Sequence, residues 1–298
     1  MKSLLFTGAS GFLGHNILPI LEKTYDVHTI GLTDDDDIKI DMARQVPPVT
    51  KHYDVVLHAA GKAHSVPKTE VEKRVFFDVN YQGTVNLCRA LERVGIPETF
   101  VFISTVAVYG CEAGESITEE HPLEGNTPYA KSKMMAEEYL TEWCADKGVI
   151  LGILRPSLLA GHNAPGNLGS MVRGIQRGFY LNIAEGKVKK SILMAEDIAR
   201  LLPLLEGKGG IYNVCDSYQP SFGEISASVA RQLGKHKPIS IPYWLAWCLA
   251  KVGDLLGPKA PVNSYKLDKM TQSLTFSNEK ARRELGWEPL DVLTYYRI

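Results

Sequence analysis

Short apolar runs alternate with amphipathic stretches through the first half of the chain. Residues 3–7, 26–31, 54–59, 99–104 and 149–155 are short and largely uninterrupted by polar side chains, the pattern of strands buried on both faces of a parallel sheet. Between them, 12–23, 81–94 and 130–144 carry apolar residues at helical spacing. Such alternation predicts an α/β fold built on a doubly wound parallel sheet. After Arg155 the pattern loosens. Residues 162–178 are rich in Gly and Asn, 211–214 forms one more buried strand, and 221–233, 243–256 and 278–285 read as helices. We expect a main domain of residues 1–160 plus about 191–216, and a smaller mixed domain of about 161–190 plus 217–298.

Composition narrows the class. The 298 residues exceed the usual size of one domain. With 45% hydrophobic and 22% charged residues, the chain can bury a sizeable core as an ordinary soluble protein. A formal net charge of -1 gives no electrostatic case for nucleic acid or an anionic membrane as partner. Five scattered cysteines without a C-x-x-C pair suggest neither a zinc site nor a disulfide framework, and no metal is expected. The amino terminus is too short an apolar run for a signal peptide. The run YWLAWCLAKVGDLL at 243–256 meets Lys251 and Asp254 well before membrane-spanning length. It reads as a buried or interfacial helix, with a monotopic membrane anchor as the alternative, and the protein as cytoplasmic. The acidic run Asp34–Asp37 reads as a solvated loop.

The first predicted strand ends in TGASGFLG at 7–14, and a helix follows at once. Gly8, Gly11 and Gly14 would let the backbone turn tightly and approach a pyrophosphate, with the helix N–H groups aimed at the anion. Ser10, Phe12 and Leu13 share that turn. Glycines alone would serve any tight strand–helix turn; their place after the first strand favours a dinucleotide. Strand two ends Ile30-Gly31-Leu32-Thr33 without the acid or arginine that reads the adenosine ribose, so NAD and NADP stay open. The acidic run tilts the choice slightly to NAD, by repelling a 2′-phosphate. Asp41, followed by Met42, closes a third short strand. It could accept from the adenine amino group or cap a helix.

Tyr129 and Lys133 lie four residues apart, on one face of a predicted helix. A phenol of ordinary pKa near ~10 is a poor proton-transfer group at neutrality; a neighbouring cation would favour phenolate and bring it into range. The same spacing recurs at Tyr265–Lys269, which we assign to a solvated helix. What sets Tyr129 apart is the preceding strand with Ser104 and Thr105, hydroxyls at the sheet's carboxyl edge where ligands bind. Thr105 could share a substrate oxygen with Tyr129, or simply bond backbone.

Seven segments in register resemble the extended short-chain dehydrogenase/reductase family, in its sugar-nucleotide epimerase/reductase branch. They are TGASGFLG at 7–14, DVVLHAAG at 54–61, VNYQGTVNL at 79–87, FISTVAVYG at 102–110, YAKSK at 129–133, LRPSLLAG at 154–161 and KARRELGWEP at 280–289. The resemblance implies a Rossmann domain with a substrate-binding C-terminal domain. It implies Tyr129 as general acid–base, Lys133 tuning it while bonding the nicotinamide ribose, and Thr105 orienting the reacting oxygen. By the same resemblance, Ala59, Ala60 and Gly61 let NAD(P) cross strand four, and Pro156 and Ser157 meet the nicotinamide amide. Asn167 falls where the family commonly touches the sugar-nucleotide diphosphate, and Asn80 is mostly structural. Arg173, Arg177, Lys189 and Lys190 could bind that diphosphate, or could face solvent. A homodimer through the helices at 81–94 and 130–144 is also implied.

Departures narrow the chemistry. Where sugar-nucleotide dehydratases carry an Asp-Glu pair, this chain has Val106-Ala107, which cannot transfer a proton; nor does a Cys stand beside Thr105 to serve C3/C5 epimerisation. Hydride transfer at C4 of a nucleoside-diphosphate sugar remains, and the segment 161–186 is most similar to bacterial polysaccharide enzymes acting on 4-keto-6-deoxy sugars. A hydroxysteroid- or flavonoid-type ketone reductase would share Thr, Tyr and Lys but needs a more apolar substrate region. A non-catalytic dinucleotide sensor often loses the Tyr–Lys pair that is kept here.

Overall fold

A computed structural model describes residues 1–298 except 64, 184–185 and 257–262. The first half runs β1 (Lys2–Thr7), α1 (Phe12–Leu21), β2 (Tyr25–Gly31), β3 (Ile38–Lys39), β4 (Val55–His58) and α2 (Glu70–Phe77). A π-turn at Asp78–Gln82 leads into α3 (Gly83–Val94), then β5 (Thr99–Ile103), β6 (Gly114–Ile117), α4 (Pro128–Lys147) and β7 (Ile150–Pro156). Beyond lie β8 (Leu158–Ala160), α5 (Gly166–Gln176), β9 (Asn182–Ile183), β10 (Ile192–Met194), α6 (Glu196–Leu205) and β11 (Gly210–Val214). The chain closes with α7 (Phe222–Gln232), β12 (Ser240–Ile241), α8 (Tyr243–Leu256), α9 (Ser264–Thr271), β13 (Leu274–Phe276), α10 (Glu279–Leu285) and α11 (Val292–Tyr295).

Seven strands form one sheet in the order β11-β7-β5-β4-β1-β2-β3, every adjacent pair parallel. The chain leaves β1 toward one edge and returns through β4 toward the other, so the sheet is doubly wound, a Rossmann fold. The switch lies between β1 and β4, and ligands bind such sheets in the crevice beyond the strands' carboxyl ends at that point. Successive strand residues point to opposite faces. Leu4, Phe6, Leu57 and Ile103 therefore pack with Ile17 of α1 and Ile198 and Leu202 of α6. Leu5, Val56, Phe100 and Phe102 pack with Leu87 of α3 and Leu140 of α4. Both faces are covered, which is why these strands read as apolar runs rather than alternating ones.

The remaining strands pair in twos, β8 with β10, β9 with β12 and β6 with β13. Four helices lay hidden in the sequence, among them the four-residue α11. The glycines at 166, 169 and 174 lower the helix propensity of α5, yet Leu168, Met171 and Ile175 are buried on one of its faces. α2 and α6 are only 8 and 10 residues long and were not read at all. The segment read as buried or interfacial, α8, leaves Trp244 65% and Leu255 89% exposed, so its large apolar residues are not core. Among the described residues no helix is long and apolar enough to cross a membrane. The side chains of Tyr265 and Lys269, the second tyrosine–lysine pair, lie outside the described residues.

The C-terminal segment is tied to the sheet domain through Asp197 of α6. This buried carboxylate accepts from Trp287 Nε1 (3.3 Å) and from the Leu290 backbone N–H (2.9 Å), and pairs with Arg200 (2.6 Å). Trp287 itself sits 2% exposed against the core of α1 and α6. Replacing Trp287 with Ala removes that packing, so denaturant unfolding should show a loss of about 3–5 kcal/mol. Trp244→Ala on exposed α8 should change stability by no more than about 0.5 kcal/mol.

Candidate active site

The glycine turn is wedged between the ends of β2 and β4. Gly8 has φ +84° and donates its N–H to the Ile30 carbonyl (3.2 Å). A Cβ on Gly8 would stand 2.6 Å from the Ala60 nitrogen, and one on Gly14 would stand 2.1 Å from the Ala9 carbonyl oxygen. Neither position tolerates a side chain. Gly11 is the N-cap of α1 and offers no side chain to the first helical N–H groups, which leaves them for an anion. Within the turn, Phe12 and Leu13 pack into apolar clusters on either side, and Ser10 is half-buried.

Beneath the turn runs a buried relay that sequence reasoning missed. Thr84 Oγ1 donates to the Asn80 carbonyl (2.7 Å), so its oxygen must accept from His58 Nε2 (2.8 Å). That fixes the proton on Nε2 and leaves Nδ1 to accept from Thr7 Oγ1 (2.6 Å), which in turn accepts from the Ala60 N–H (3.2 Å). His58 is fully enclosed and stacked on Phe102 with centroids 5.5 Å apart. Burial first, and then the Lys133 charge, pull its pKa down to about 3, so it is neutral. The only sequence signal was its place at the end of a strand of apolar residues.

Tyr129 and Lys133 are set by the start of α4. Thr127 caps that helix, accepting from the Ala130 N–H (3.1 Å), and Pro128 begins it, so Tyr129 stands in the first turn and Lys133 one turn on. The Lys133 ammonium is buried, donates to the Ile103 carbonyl (2.8 Å) and lies 4.5 Å over the Phe102 ring. Gly61 stands against it: a Cβ there would be 3.2 Å from Lys133 Nζ. The glycine turn, Ala60, Gly61 and Lys133 are thus contiguous. Burial lowers the Lys133 pKa to about 8 against the pull of Glu137. Thr105 Oγ1 accepts from the Ala107 N–H (3.1 Å), capping the short 3-10 turn Val106–Tyr109, and also bonds the Tyr129 phenol.

The phenol corrects one expectation. Burial raises the Tyr129 pKa; the Thr105 hydrogen bond is what opposes it, not the Lys133 charge. Lys133 is turned to the Ile103 carbonyl, and the Tyr129 ring packs on Phe76 at 6.3 Å. Asn80 holds the neighbouring loop. It accepts from Lys62 N (2.7 Å) and donates to Lys62 O (3.1 Å) and Ser132 Oγ (2.8 Å), so its amide is fully engaged.

Behind Lys133 lies a second missed constellation. Glu137 and Arg155 form a buried bidentate pair at 2.6 and 3.1 Å. Ser104 Oγ donates to Glu137. Arg155 also donates to Tyr109 OH (3.0 Å), whose own proton goes to Asn213 Oδ1 (2.7 Å). Ser104 therefore faces this pair. Glu137 falls four residues after Lys133, a spacing that could have flagged it.

At the far end of the crevice, the acidic run is not a uniformly solvated loop. Asp34 and Asp35 are exposed, but Asp36 is buried and its carboxylate folds over Gly31, where a Cβ would meet it at 2.2 Å. It accepts from the Thr33 N–H (3.0 Å) and hydroxyl (2.8 Å). An acid therefore does stand at the end of β2, brought there by a turn that strand spacing alone did not reveal. Asp41 caps its own turn, accepting from Ala43 N (3.0 Å) and pairing with Arg44 (3.3 Å). Met42 is buried and its carbonyl accepts from Asn86 (2.8 Å). Pro156 ends β7, and Ser157 Oγ just beyond is buried with no hydrogen-bond partner. Asn167 and Arg173 lie exposed on α5, Arg173 bonding Ser170 (3.1 Å), and Lys190 pairs by a backbone bridge with Leu274.

A family model for NAD dependent epimerases/dehydratases matches residues 4–215. The chain belongs to that family. It is 28% identical, over 93% of this chain and 88% of the relative, to N-acetyl-alpha-D-glucosaminyl-diphospho-ditrans,octacis-undecaprenol 4-epimerase of Escherichia coli O157:H7. It is 29% identical, over 75% and 78%, to GDP-6-deoxy-D-mannose reductase of Pseudomonas aeruginosa. Among solved structures, RMD from Pseudomonas aeruginosa complexed with NADPH superposes with TM-score 0.72 at 22% identity, covering 99% of this chain and 96% of that one.

His58 makes stability depend on pH. Its pKa is about 3 in the fold against an ordinary value of 6.5, so below 6.5 the unfolded chain takes up a proton that the native chain refuses. Its contribution is complete above pH 6.5 and is lost as pH falls toward 3. Between pH 7 and 5 the loss is about 2 kcal/mol. Parallel urea titrations of the protein and a His58→Asn variant should show this slope in the first and its absence in the second.

Proposed function

We propose that the protein transfers a hydride at C4 of a nucleoside-diphosphate sugar, as a 4-keto-6-deoxy-sugar reductase or C4 epimerase of bacterial surface polysaccharide synthesis. The observation that carries this reading is the contiguous line from the glycine turn through Gly61 to Lys133, with Tyr129 and Thr105 hydrogen-bonded beside it. The residues fit a nicotinamide dinucleotide. The bare N-terminus of α1 suits a pyrophosphate, and the unpartnered Ser157 hydroxyl suits a carboxamide. When bound, the dinucleotide supplies or accepts the hydride.

In the reductive direction Tyr129, kept protonated by burial, donates its proton to the oxygen at C4 as that oxygen gains charge. Thr105 holds the same oxygen through its hydroxyl. Lys133, still charged at neutral pH, would bond the ribose of the bound dinucleotide. Val106 and Ala107 put no acid or base beside Thr105, so nothing in the 3-10 turn eliminates water. The sheet domain, 1–160 plus about 191–216, holds the dinucleotide in this reading. The remainder, about 161–190 plus 217–298, holds the sugar, with Asn167, Arg173 and Lys190 toward the diphosphate. The protein works in the cytoplasm as a homodimer. The relatives carry their sugars on a nucleoside diphosphate and on a polyprenyl diphosphate respectively. The exposed apolar α8 favours the polyprenyl carrier as a second reading.

Tyr129→Phe decides between enzyme and sensor. With 4-keto-6-deoxy and 4-hydroxy sugar nucleotides as substrates, turnover should fall on the order of 10²–10⁴-fold while dinucleotide affinity holds. Unchanged turnover would remove Tyr129 from the chemistry, and net consumption of NADH against sugar interconversion separates reductase from epimerase.

Asp36 supports NAD over NADP. Its carboxylate folds over Gly31 at the end of β2, one residue past the Ile30 whose carbonyl holds the glycine turn, where a ribose 2′-phosphate would meet a like charge. Asp36→Ala should raise kcat/KM with NADPH relative to NADH by about tenfold, ~1.4 kcal/mol. No change in the ratio would place the discrimination elsewhere.

A further inference from the structure

α8 is built inside out for a helix on a soluble protein. Its buried face is Ala246, Ala250 and Gly253, packed near Leu267, Ile183 and Ile241. Its exposed face carries Tyr243, Trp244, Trp247, Leu249, Val252 and Leu255. Positions 244, 247, 251 and 255 lie three or four apart and form one stripe. The reverse arrangement, large apolar residues inward, is the rule for a surface helix. Ile239, 72% exposed just before β12, extends the same surface.

We propose that α8 docks the protein on the headgroup–acyl boundary of a membrane rich in anionic phospholipid. Tryptophan and tyrosine are the side chains that settle at that boundary, an apolar ring with one polar edge. Lys251 lies among them with its ammonium 5.4 Å over the Trp247 ring, a long stem able to lift its charge to the headgroups. A helix of 14 residues is about 21 Å long and cannot span a bilayer, so it lies in the plane of the surface.

Charge selects this occupant over a second copy of the chain. Residues 235–270 contain six lysines and two aspartates with no Arg or Glu, a formal +4 within a chain of net -1. Lys235, His236 and Lys237 are exposed just ahead of β12, and Asp254 is engaged by Ser264 (2.6 Å) and Lys251 (3.7 Å). A two-fold contact through α8 would set Lys235, Lys237 and Lys251 toward their own copies, whereas an anionic leaflet attracts them. β12, which leads into α8, pairs with β9, and β9 precedes Lys189 and Lys190 at the sugar-diphosphate side of the proposed site. Docking would therefore bring the carrier end of the substrate to the headgroups; that last consequence rests on the proposed function, the docking itself does not.

The test uses the full chain and vesicles of phosphatidylcholine with and without phosphatidylglycerol. Of four tryptophans, Trp143 and Trp287 are buried, so emission changes report Trp244 and Trp247. The chain should co-sediment with the anionic vesicles, its emission should shift to the blue and be quenched by brominated acyl chains, and added salt should weaken both. W244A/W247A should lose at least about tenfold in vesicle affinity while its turnover of a soluble sugar nucleotide stays that of the parent. The parent's failure to bind anionic vesicles would overturn the docking and leave the enzymatic reading standing. So would light scattering in which W244A/W247A alone falls from dimer to monomer, which makes α8 a contact between copies. Vesicle binding without turnover on any sugar diphosphate would sustain the docking and sink the enzymatic reading.

Discussion

An ammonium taken out of water is the constraint around which the rest of the site is arranged. Lys133 is 3% exposed, and burial of a charge with nothing to meet it would be strongly destabilising. The Ile103 carbonyl and the face of Phe102 meet it directly, and Glu137 supplies opposing charge one helical turn further on. Glu137 is itself buried and would be as costly alone. Arg155 and Ser104 satisfy it, and Arg155 passes the obligation to Tyr109 and Asn213. The chain of partners joins α4, β5, β7 and β11 with the turn after Thr105. A buried polar network of this kind is rigid only when every member is satisfied. Here each member has its partner, so the position of Lys133 is fixed by the sheet rather than by a loop.

The same burial sets the proton inventory on the other side of the crevice. His58 could carry a charge beside Lys133, and two cations there would repel; enclosure and that neighbour keep it neutral. Its two nitrogens, with Thr7 and Thr84, then tie the last residue of β1 to the start of α3. Since Ala60 donates into this relay and also closes on Gly8, the glycine turn and the floor under it move as one piece. Tyr129 is left protonated by the protein's own electrostatics, with Thr105 as its hydrogen-bond partner. In the proposed chemistry that is the state that gives a proton to a nascent alkoxide.

Much of this was legible before any coordinates. Parallel strands buried on both faces leave apolar runs, so the sheet was read strand by strand. The glycine turn and the Tyr129–Lys133 spacing are local patterns, and local patterns survive in sequence. What sequence hid was non-local or weakly patterned. α5 carries three glycines against its propensity, and α2 and α6 are too short to show much periodicity. Arg155 meets Glu137 across 18 residues and His58 meets Thr7 across 51, pairings no window contains. A run of four acids looks solvated, and only the turn shows Asp36 folded inward over Gly31. The expected pull of Lys133 on the Tyr129 phenol failed for a related reason. Helical spacing places two residues on one face but does not say which way a flexible ammonium turns, and this one turns to a carbonyl.

Charge summed over the whole chain hides what is local. A net charge of -1 gives no case for an anionic surface as partner, yet the lysines gathered between 235 and 270 make that stretch positive. The acidic run near residue 35 argued only weakly about the dinucleotide while it was taken as screened by solvent, yet one buried carboxylate at a strand end acts at short range and low dielectric. Screening erases exposed charges beyond about 8–10 Å, so what a ligand or a surface meets is the local cluster, not the sum. In this fold the two clusters stand on different parts of the chain, one beside the glycine turn and the other in the stretches before and after the helix that follows β12. The hydroxyls of an adenosine ribose would meet an acceptor at the first, and an anionic bilayer would meet cations at the second, without the two fields cancelling.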